Sequence, residues 1–120
     1  MRWLPLLVLL AACKQAATPT PAEIADRGWT AHELVVSAGE HEATCVGAGA
    51  AMQRAFAANR QAFVDAMALD RDKRALEAAT EYLEAHADRY ADLETRMEAL
   101  SDRCATDPTV QAAFAQMSNP

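Results

Sequence analysis

The sequence is poor in the residues that mark strands and turns. It contains four Gly and five Pro in 120 residues, and aromatic residues make up 6% of the chain. Strict alternation of apolar and polar residues, which marks a half-buried strand, is almost absent. These shortages exclude an all-β sandwich or barrel and argue against a large α/β enzyme, so the sequence predicts one small all-α domain.

Basic residues are also scarce. The chain has 11 Lys and Arg against 17 Asp and Glu, a formal net charge of −6. Proteins that bind nucleic acid or anionic lipid electrostatically do so through clustered Lys and Arg, and no basic stripe runs along this chain. The charge therefore argues against a nucleic-acid partner and against electrostatic attachment to a membrane.

Large apolar side chains are fewer than the overall composition suggests. Hydrophobic residues make up 52% of the chain, but 29 of its 120 residues are Ala. Alanine is the strongest helix former and fills little core volume. The composition predicts a lean helical core that depends on close approach between helices.

The first 13 residues carry an export signal. Arg2 precedes the apolar stretch Trp3–Leu10, which is too short to span a bilayer but suits the apolar region of a signal peptide. The stretch ends in Leu10-Ala11-Ala12-Cys13, which resembles the lipobox of bacterial lipoproteins. An ordinary signal peptide with a chance cysteine is the alternative.

The resemblance to bacterial lipoproteins implies where the protein is located in the cell. It implies cleavage before Cys13 and lipidation of the Cys13 thiol, so that residues 1–12 are a signal peptide and the acyl chains hold the protein on the membrane. Lys14 stands where an Asp favours retention at the inner membrane, which implies an outer-membrane location facing the periplasm. Residues 13–20 are predicted to be a flexible tether.

The remaining residues, 21–120, are predicted to form one helical domain. Thr20-Pro21-Ala22-Glu23 is a capping box that begins a first helix, either one helix over 21–38 or a short turn followed by a helix. Apolar periodicity predicts long helices over 40–69 and 73–104, and Asp107-Pro108 begins a short last helix. The expected architecture is an antiparallel bundle of three or four helices with two long central helices.

The 73–104 segment has the clearest periodicity. Its seam residues alternate three and four apart and are Leu76, Ala79, Leu83, His86, Tyr90, Leu93, Met97, Leu100 and Cys104. The charged residues between them are interpreted as a solvated face and are Glu77, Glu81, Glu84, Asp88, Arg89, Asp92 and Arg96. A seam of this length suits a packed bundle, and it also leaves open pairing with a second copy of the chain.

Two cysteines remain besides Cys13. Cys45 and Cys104 lie on apolar seams at corresponding ends of the long helices, and an oxidising compartment predicts a disulfide between them. An ideal hairpin centred at Arg71 argues against the bond, because it places Cys45 level with residue 97, an axial error of about 10 Å. Two buried free thiols and a redox-active pair are the alternatives.

Two histidines are candidate metal ligands. Glu40-His41-Glu42 with Cys45 places an imidazole and a thiol four residues apart, as on one helix face, although a solvated helix start is the simpler interpretation. His86 on the seam is a candidate haem or metal ligand together with a Met, although a lone histidine on a bundle seam is more often a hydrogen-bonded residue at the edge of the core.

A group of small residues opens the second predicted helix. Ala43, Gly47 and Ala51, with Gly49, form a surface that another helix can approach closely, and we expect the first helix there, with a partner protein as the alternative.

The function expected from these features is a membrane-anchored lipoprotein that acts as a structural or protein-interaction module, without a cofactor and without catalysis. Its expected partners are the membrane, through the lipid, and an unidentified protein. A small metal or haem carrier that uses His41 or His86 with a Met is the alternative, and an enzyme is a third possibility, although no catalytic constellation of Ser, His and Asp stands out.

Overall fold

In residues 18–120, which the computed structural model describes, every regular element is helical and no strand occurs. The five α-helices are α1 (Pro21–Glu40), α2 (Cys45–Ala68), α3 (Lys73–Ala85), α4 (Ala87–Arg103) and α5 (Pro108–Ser118). The all-α prediction is confirmed. A count of three or four helices is not confirmed, because the segment predicted as one helix over 73–104 is divided into α3 and α4. The lipobox prediction, Leu10–Cys13, lies outside the described residues.

Side-chain oxygens begin four of the described helices, at Thr20, Thr44, Asp72 and Asp107. At Thr20, Oγ1 accepts the Glu23 N–H at 3.2 Å, and Pro21 takes the first helical position, where a missing N–H costs nothing. The helix starts predicted at Thr20 and at Asp107 are therefore confirmed. Helix α1 runs unbroken through Gly28, which decides between the two interpretations of that segment.

The interruption between α3 and α4 falls at His86. The residue leaves helical geometry at φ −120° and ψ 35°, and its backbone N–H turns to the Leu83 carbonyl oxygen at 3.1 Å. The imidazole Nδ1 then lies 2.8 Å from the Tyr82 carbonyl oxygen. In a continuous helix, the backbone N–H of His86 would donate to that same oxygen. The side chain thus replaces the backbone donor, so the break needs neither Pro nor Gly.

The direction of each helix follows from its contacts. Helices α1 and α2 form an antiparallel hairpin, in which Gly28 closely approaches Ala66 and Gly39 closely approaches Met52. Helix α1 runs parallel to α3 and α4, because three of its hydrogen-bonded pairs recur at the same offset of 56 residues, namely Asp26–Tyr82, Glu33–Arg89 and Glu40–Arg96. Helix α5 runs parallel to α2.

The main core lies between α1, α2, α4 and α5. Its largest fully buried side chains are Phe63, Met52, Val35, Val36, Val110 and Cys104. A smaller cluster of Ala25, Leu69 and Ala79 closes the other end, below α3. Alanines occupy several of the buried positions, so helix backbones come close and the core stays thin, as the composition predicts.

The predicted disulfide is present and joins Cys45, at the start of α2, to Cys104, just after α4. The two Cα atoms are 5.6 Å apart. The axial mismatch expected for an ideal hairpin does not arise, because the connection is not ideal. A 3-10 turn at Leu69–Arg71, an extended Asp72 and the break at His86 replace continuous helix.

Candidate functional site

An apolar cleft opens between α1, α3, α4 and the C-terminal end of α2. It encloses about 360 Å³, which is within the size range of ligand and side-chain pockets. We call it the apolar cleft, and its principal walls are Trp29, Leu76, Leu83, Tyr90, Leu93 and Met97. Apart from His32, Thr80, Asp70 and Glu94, its lining is apolar, aromatic or Gly.

The cleft exists because half of the predicted seam remains uncovered. One row of the seam faces the interior, with Leu93 and Leu100 only 5% and 3% exposed. The other row, which we call the open row, consists of Leu76, Leu83, Tyr90 and Met97. Leu76 is 41% and Tyr90 46% exposed, whereas Leu83 and Met97 are partly buried against the main core. Within residues 18–120, this row is therefore open to solvent at Leu76 and at Tyr90.

Helix α5 ends before the cleft, and none of its residues lines it. Helix α5 packs along α2, where Gln53 donates to the Thr109 carbonyl oxygen at 3.2 Å and Arg60 to the Pro120 oxygen at 2.9 Å. Beyond Arg60 the same face of α2 continues to Met67, which is 47% exposed. The face of α2 that α5 covers is therefore exposed beyond the end of α5.

Trp29 forms the aromatic floor of the cleft. Its ring meets Tyr90 edge to face at 5.7 Å and Tyr82 at 6.4 Å, and the Arg89 guanidinium stacks 4.7 Å from its centroid. Among residues 18–120, the buried indole Nε1–H has no hydrogen-bond partner. The Trp29 ring is thus packed between aromatic and cationic neighbours, while its Nε1–H makes no hydrogen bond to them.

A ladder of ion pairs fastens α1 to α3 and α4 beside the cleft. Arg89 donates to the carboxylates of Glu33 and Asp26, the latter at 2.8 Å, and Tyr82 donates to Asp26 at 2.5 Å. Seven residues further along α4, about two helical turns, Arg96 donates to Glu40 at 2.6 Å. The Tyr82 hydroxyl and the Arg89 guanidinium lower the pKa of Asp26, so its carboxylate stays charged.

These contacts correct the prediction of a wholly solvated face. Arg89 and Arg96 are about two-thirds buried side chains that bridge helices. The signal was present in the sequence, since Tyr82, Arg89, Arg96 and Arg103 recur every seven residues. Only the parallel alignment with α1, however, reveals their partners Asp26, Glu33 and Glu40.

His32 lies deeper in the cleft wall. Burial lowers the pKa of its imidazole, and Nδ1 lies 2.7 Å from the Gly28 carbonyl oxygen. The ring also stacks on Phe63 at 4.5 Å between centroids. His32 therefore presents a neutral ring to the cleft, and sequence reasoning missed it because nothing near it forms a motif.

Both charges in the cleft lining are negative. Asp70 stands at the end nearest the 3-10 turn, and Glu94 stands beside Tyr90 on α4. The Glu94 carboxylate raises the pKa of the Tyr90 phenol by accepting its hydrogen bond. The basic residues of the nearby turn, Arg71 and Lys73, are not part of the lining. The cleft thus combines an apolar floor with an acidic rim.

The structure does not assemble the predicted metal sites. His41 caps the end of α1 while Cys45 begins α2, so the two do not share a helix face, and Cys45 is held in the disulfide. Nδ1 of His41 lies 2.6 Å from the Ser37 carbonyl oxygen, and His86 terminates α3 instead of pointing from a continuous seam. Within residues 18–120, no group of three or more His, Cys, Asp or Glu side chains is placed to hold a metal ion.

The expected neighbour of the small-residue surface is also corrected. At Gly49, an added Cβ would lie 2.1 Å from Oγ1 and 2.6 Å from Cβ of Thr109, so the close neighbour is α5 and not α1. The glycines that α1 uses are its own, Gly28 against Ala66 and Gly39 against Met52 and Leu100.

Comparison with protein-family models, with curated proteins and with solved structures gives no match for this chain. Among the described helices, none has both the length and the apolar content needed to cross a bilayer.

Proposed function

We propose that the protein is a bacterial lipoprotein that serves as a protein-interaction module, anchored through Cys13 in the outer membrane and facing the periplasm. Its helical domain contributes a rigid surface and no catalytic step. The working surface is the apolar cleft, where a partner protein inserts apolar side chains.

The exposed open row is the observation that carries this proposal. Large apolar side chains on the surface of a helical domain cost free energy unless something covers them, and clustered ones mark binding surfaces. Of the six large apolar residues that are exposed in residues 18–120, Leu76 and Tyr90 line the cleft. The ion-pair ladder fixes α1 against α3 and α4, which form walls of the cleft, and this reduces the entropy lost on binding.

The four-stem arrangement of the domain is part of the same proposal. We treat α3 and α4 as one bent stem, so that α1, α2, the bent stem and α5 alternate in direction as in an up-down-up-down bundle. In that description α5 is the fourth member of the bundle and is shorter than the others, and the apolar cleft lies beyond its end.

Site-directed photocrosslinking in cells tests the interaction surface. A benzoylphenylalanine placed at Leu76 or Tyr90 is expected to crosslink one defined protein. The matched control is Leu34, an exposed apolar residue of α1 outside the cleft lining, which should not yield that product. The proposal fails if neither cleft position captures a protein, or if Leu34 captures the same protein equally well.

The anchor is tested separately. Cys13→Ser removes the thiol that would carry the lipid, so the full-length variant should leave the membrane fraction or remain unprocessed. The control is the double variant Cys45→Ser, Cys104→Ser, which should stay in the membrane fraction because neither cysteine belongs to the proposed anchor. Unchanged membrane fractionation and processing of Cys13→Ser would refute lipid anchoring.

A further inference from the structure

The open row has the spacing of a helix-packing ridge. Leu76, Leu83, Tyr90 and Met97 recur every seven residues, the interval at which one helix seats its side chains against another. The row continues across the break at His86, so it extends along two helices instead of surrounding one compact pocket. This geometry suits an elongated helical occupant better than a small round molecule.

The molecule contains its own precedent for such an occupant. Nearer the disulfide, α5 fills the corresponding position along α2 and buries Val110, Ala113 and Met117 there. Gln111 of α5 also donates to the Cys104 carbonyl oxygen at the end of α4, at 3.2 Å. Helix α5 therefore packs on α2 and reaches the end of α4, which shows that an amphipathic helix can occupy this side of the domain.

The charges beside the open row define the chemistry of the occupant. The charged residues of the cleft lining are Asp70 and Glu94, and both are acidic. Among the basic residues of α3 and α4, Lys73 is exposed outside the lining, and Arg89 and Arg96 are turned to α1, where the ion-pair ladder binds them. The cleft lining is therefore acidic.

We propose that the apolar cleft binds an amphipathic helix of another protein, in which the apolar row is bordered by Lys or Arg. This inference rests on the proposed interaction function and narrows it to one class of partner. A second copy of the chain is a poor occupant, because its own open row is bordered by the same carboxylates and like charges would meet.

A pair of synthetic peptides tests the proposal. Both have the same length and the same apolar residues at helical spacing, and one carries Lys where the other carries Glu beside the apolar row. The full chain with Trp3→Phe makes Trp29 the sole tryptophan, so its fluorescence reports events in the cleft. We expect the Lys peptide to bind roughly tenfold more tightly than the Glu peptide, with affinity that falls as salt is added.

Charge variants of the protein locate the effect. Asp70→Asn and Glu94→Gln together should remove most of the preference for the Lys peptide. The matched control removes two exposed carboxylates of α3 and α4, by Glu81→Gln and Asp102→Asn. It should keep the preference, because those residues lie outside the cleft lining.

Several outcomes would overturn the proposal. These are equal binding of the two peptides, tighter binding of the Glu peptide, binding of neither, and a concentration-dependent dimer that Leu76→Ala abolishes. The interaction function itself has its own test: if cleft crosslinking captures a protein whose contacting helix lacks Lys and Arg, the charge inference is wrong while the function stands.

Discussion

At the scale of single residues, glycine has two different uses in α2. An added Cβ at Gly49 would collide with the side chain and backbone of Thr109 in α5. At Gly47 it would meet only Thr44 Oγ1 at 3.0 Å and the end of the Glu42 side chain at 3.1 Å. One glycine is needed for helix contact, and the other is not.

The substitutions Gly49→Ala and Gly47→Ala form a matched pair, two positions apart. Gly49→Ala should lower the free energy of unfolding by about 1–3 kcal/mol, since α5 must shift away. Gly47→Ala should be neutral or raise it by up to about 1 kcal/mol, because alanine has less backbone entropy to lose. Urea denaturation measures both, and equal effects of the two changes would contradict this account.

His32 gives the fold a pH dependence of defined sign. Burial lowers its pKa in the folded protein below the ordinary value of 6.5, so the unfolded chain binds a proton first as the pH falls. Stability should therefore be full above 6.5 and decrease as the pH falls from 6.5 towards the folded-state pKa.

An NMR titration of the imidazole measures this pKa directly, and denaturation at several pH values measures its consequence. His32→Phe, which keeps a ring against Phe63, should flatten the loss of stability in that window. Asp26 and Asp107 affect a different pH range, because hydrogen bonds lower the pKa of each carboxyl below 3.8 in the folded protein. The stability that they contribute is lost only as the pH falls below 3.8. A folded-state pKa of His32 at or above 6.5 would show that the burial argument is wrong.

At the scale of helices, two features add stability to a domain whose apolar core is thin. One is the disulfide, which closes a loop over a separation of 59 residues. In the chain-entropy description, a loop of this length contributes about 4 kcal/mol to stability. The other is the ladder of ion pairs that fixes the alignment of α1 with α3 and α4.

The double variant Cys45→Ala, Cys104→Ala should lower the free energy of unfolding by about 4 kcal/mol. Urea denaturation with and without reductant provides the check, because reductant should destabilise the natural chain and leave the variant unchanged. Reductant that has no effect on the natural chain would mean that the bond contributes nothing to stability.

Arg89 is the central member of the ladder. Arg89→Met should cost about 1–2 kcal/mol, because one side chain loses charge-assisted bonds to Glu33 and Asp26 and its stacking on Trp29, although partial solvent exposure weakens each contact. The control Arg54→Met, at an exposed position of α2, should change stability by less than about 0.5 kcal/mol. A double-mutant cycle with Glu33→Gln should show coupling between the two side chains. If the two changes are additive, the ion pair does not contribute to the free energy of unfolding.

At the scale of the whole molecule, stability is unevenly distributed. Helix α1 buries seven residues and α2 buries six, whereas α3 buries only Ala79. The disulfide and α5 hold one end of the domain, and the apolar cleft weakens the other. The end that is proposed to bind a partner is also the end that is held least firmly.

Hydrogen exchange should reveal this gradient. Amides of α3 should exchange faster than those in the middle of α2, because α3 can detach without exposing the main core. Binding of the proposed partner helix at the cleft should slow exchange in α3 and leave α2 nearly unchanged. Uniform protection across α2 and α3 would contradict the unequal packing.

Much of the architecture was predictable from local chemistry. Thr20-Pro21 and Asp107-Pro108 mark helix starts because they satisfy free N–H groups, whichever helices pack nearby. The pairing of Cys45 with Cys104 was predictable from their number and their positions at corresponding helix ends. The break at His86 was not predictable, because no Pro or Gly marks it, and His32 makes the same contact with its own helix without ending it.

The sequence predicted which residues of the cleft are apolar, but not that they would remain exposed. The seam on 73–104 predicted which residues are apolar, but periodicity treats its two rows alike. Which row is covered depends on where α5 ends and on how α1 aligns with α4 through Glu33 and Arg89.

By itself, the sequence determined the helical class, the helix starts, the thin alanine-rich core and the pair of cysteines, because each follows from local propensity, capping or composition. Only the tertiary structure decided that Gly49 serves α5, that Arg89 and Arg96 bridge helices, and that Leu76 and Tyr90 remain exposed. These features depend on the alignment of helices distant in sequence, and that alignment is set by packing across the whole domain.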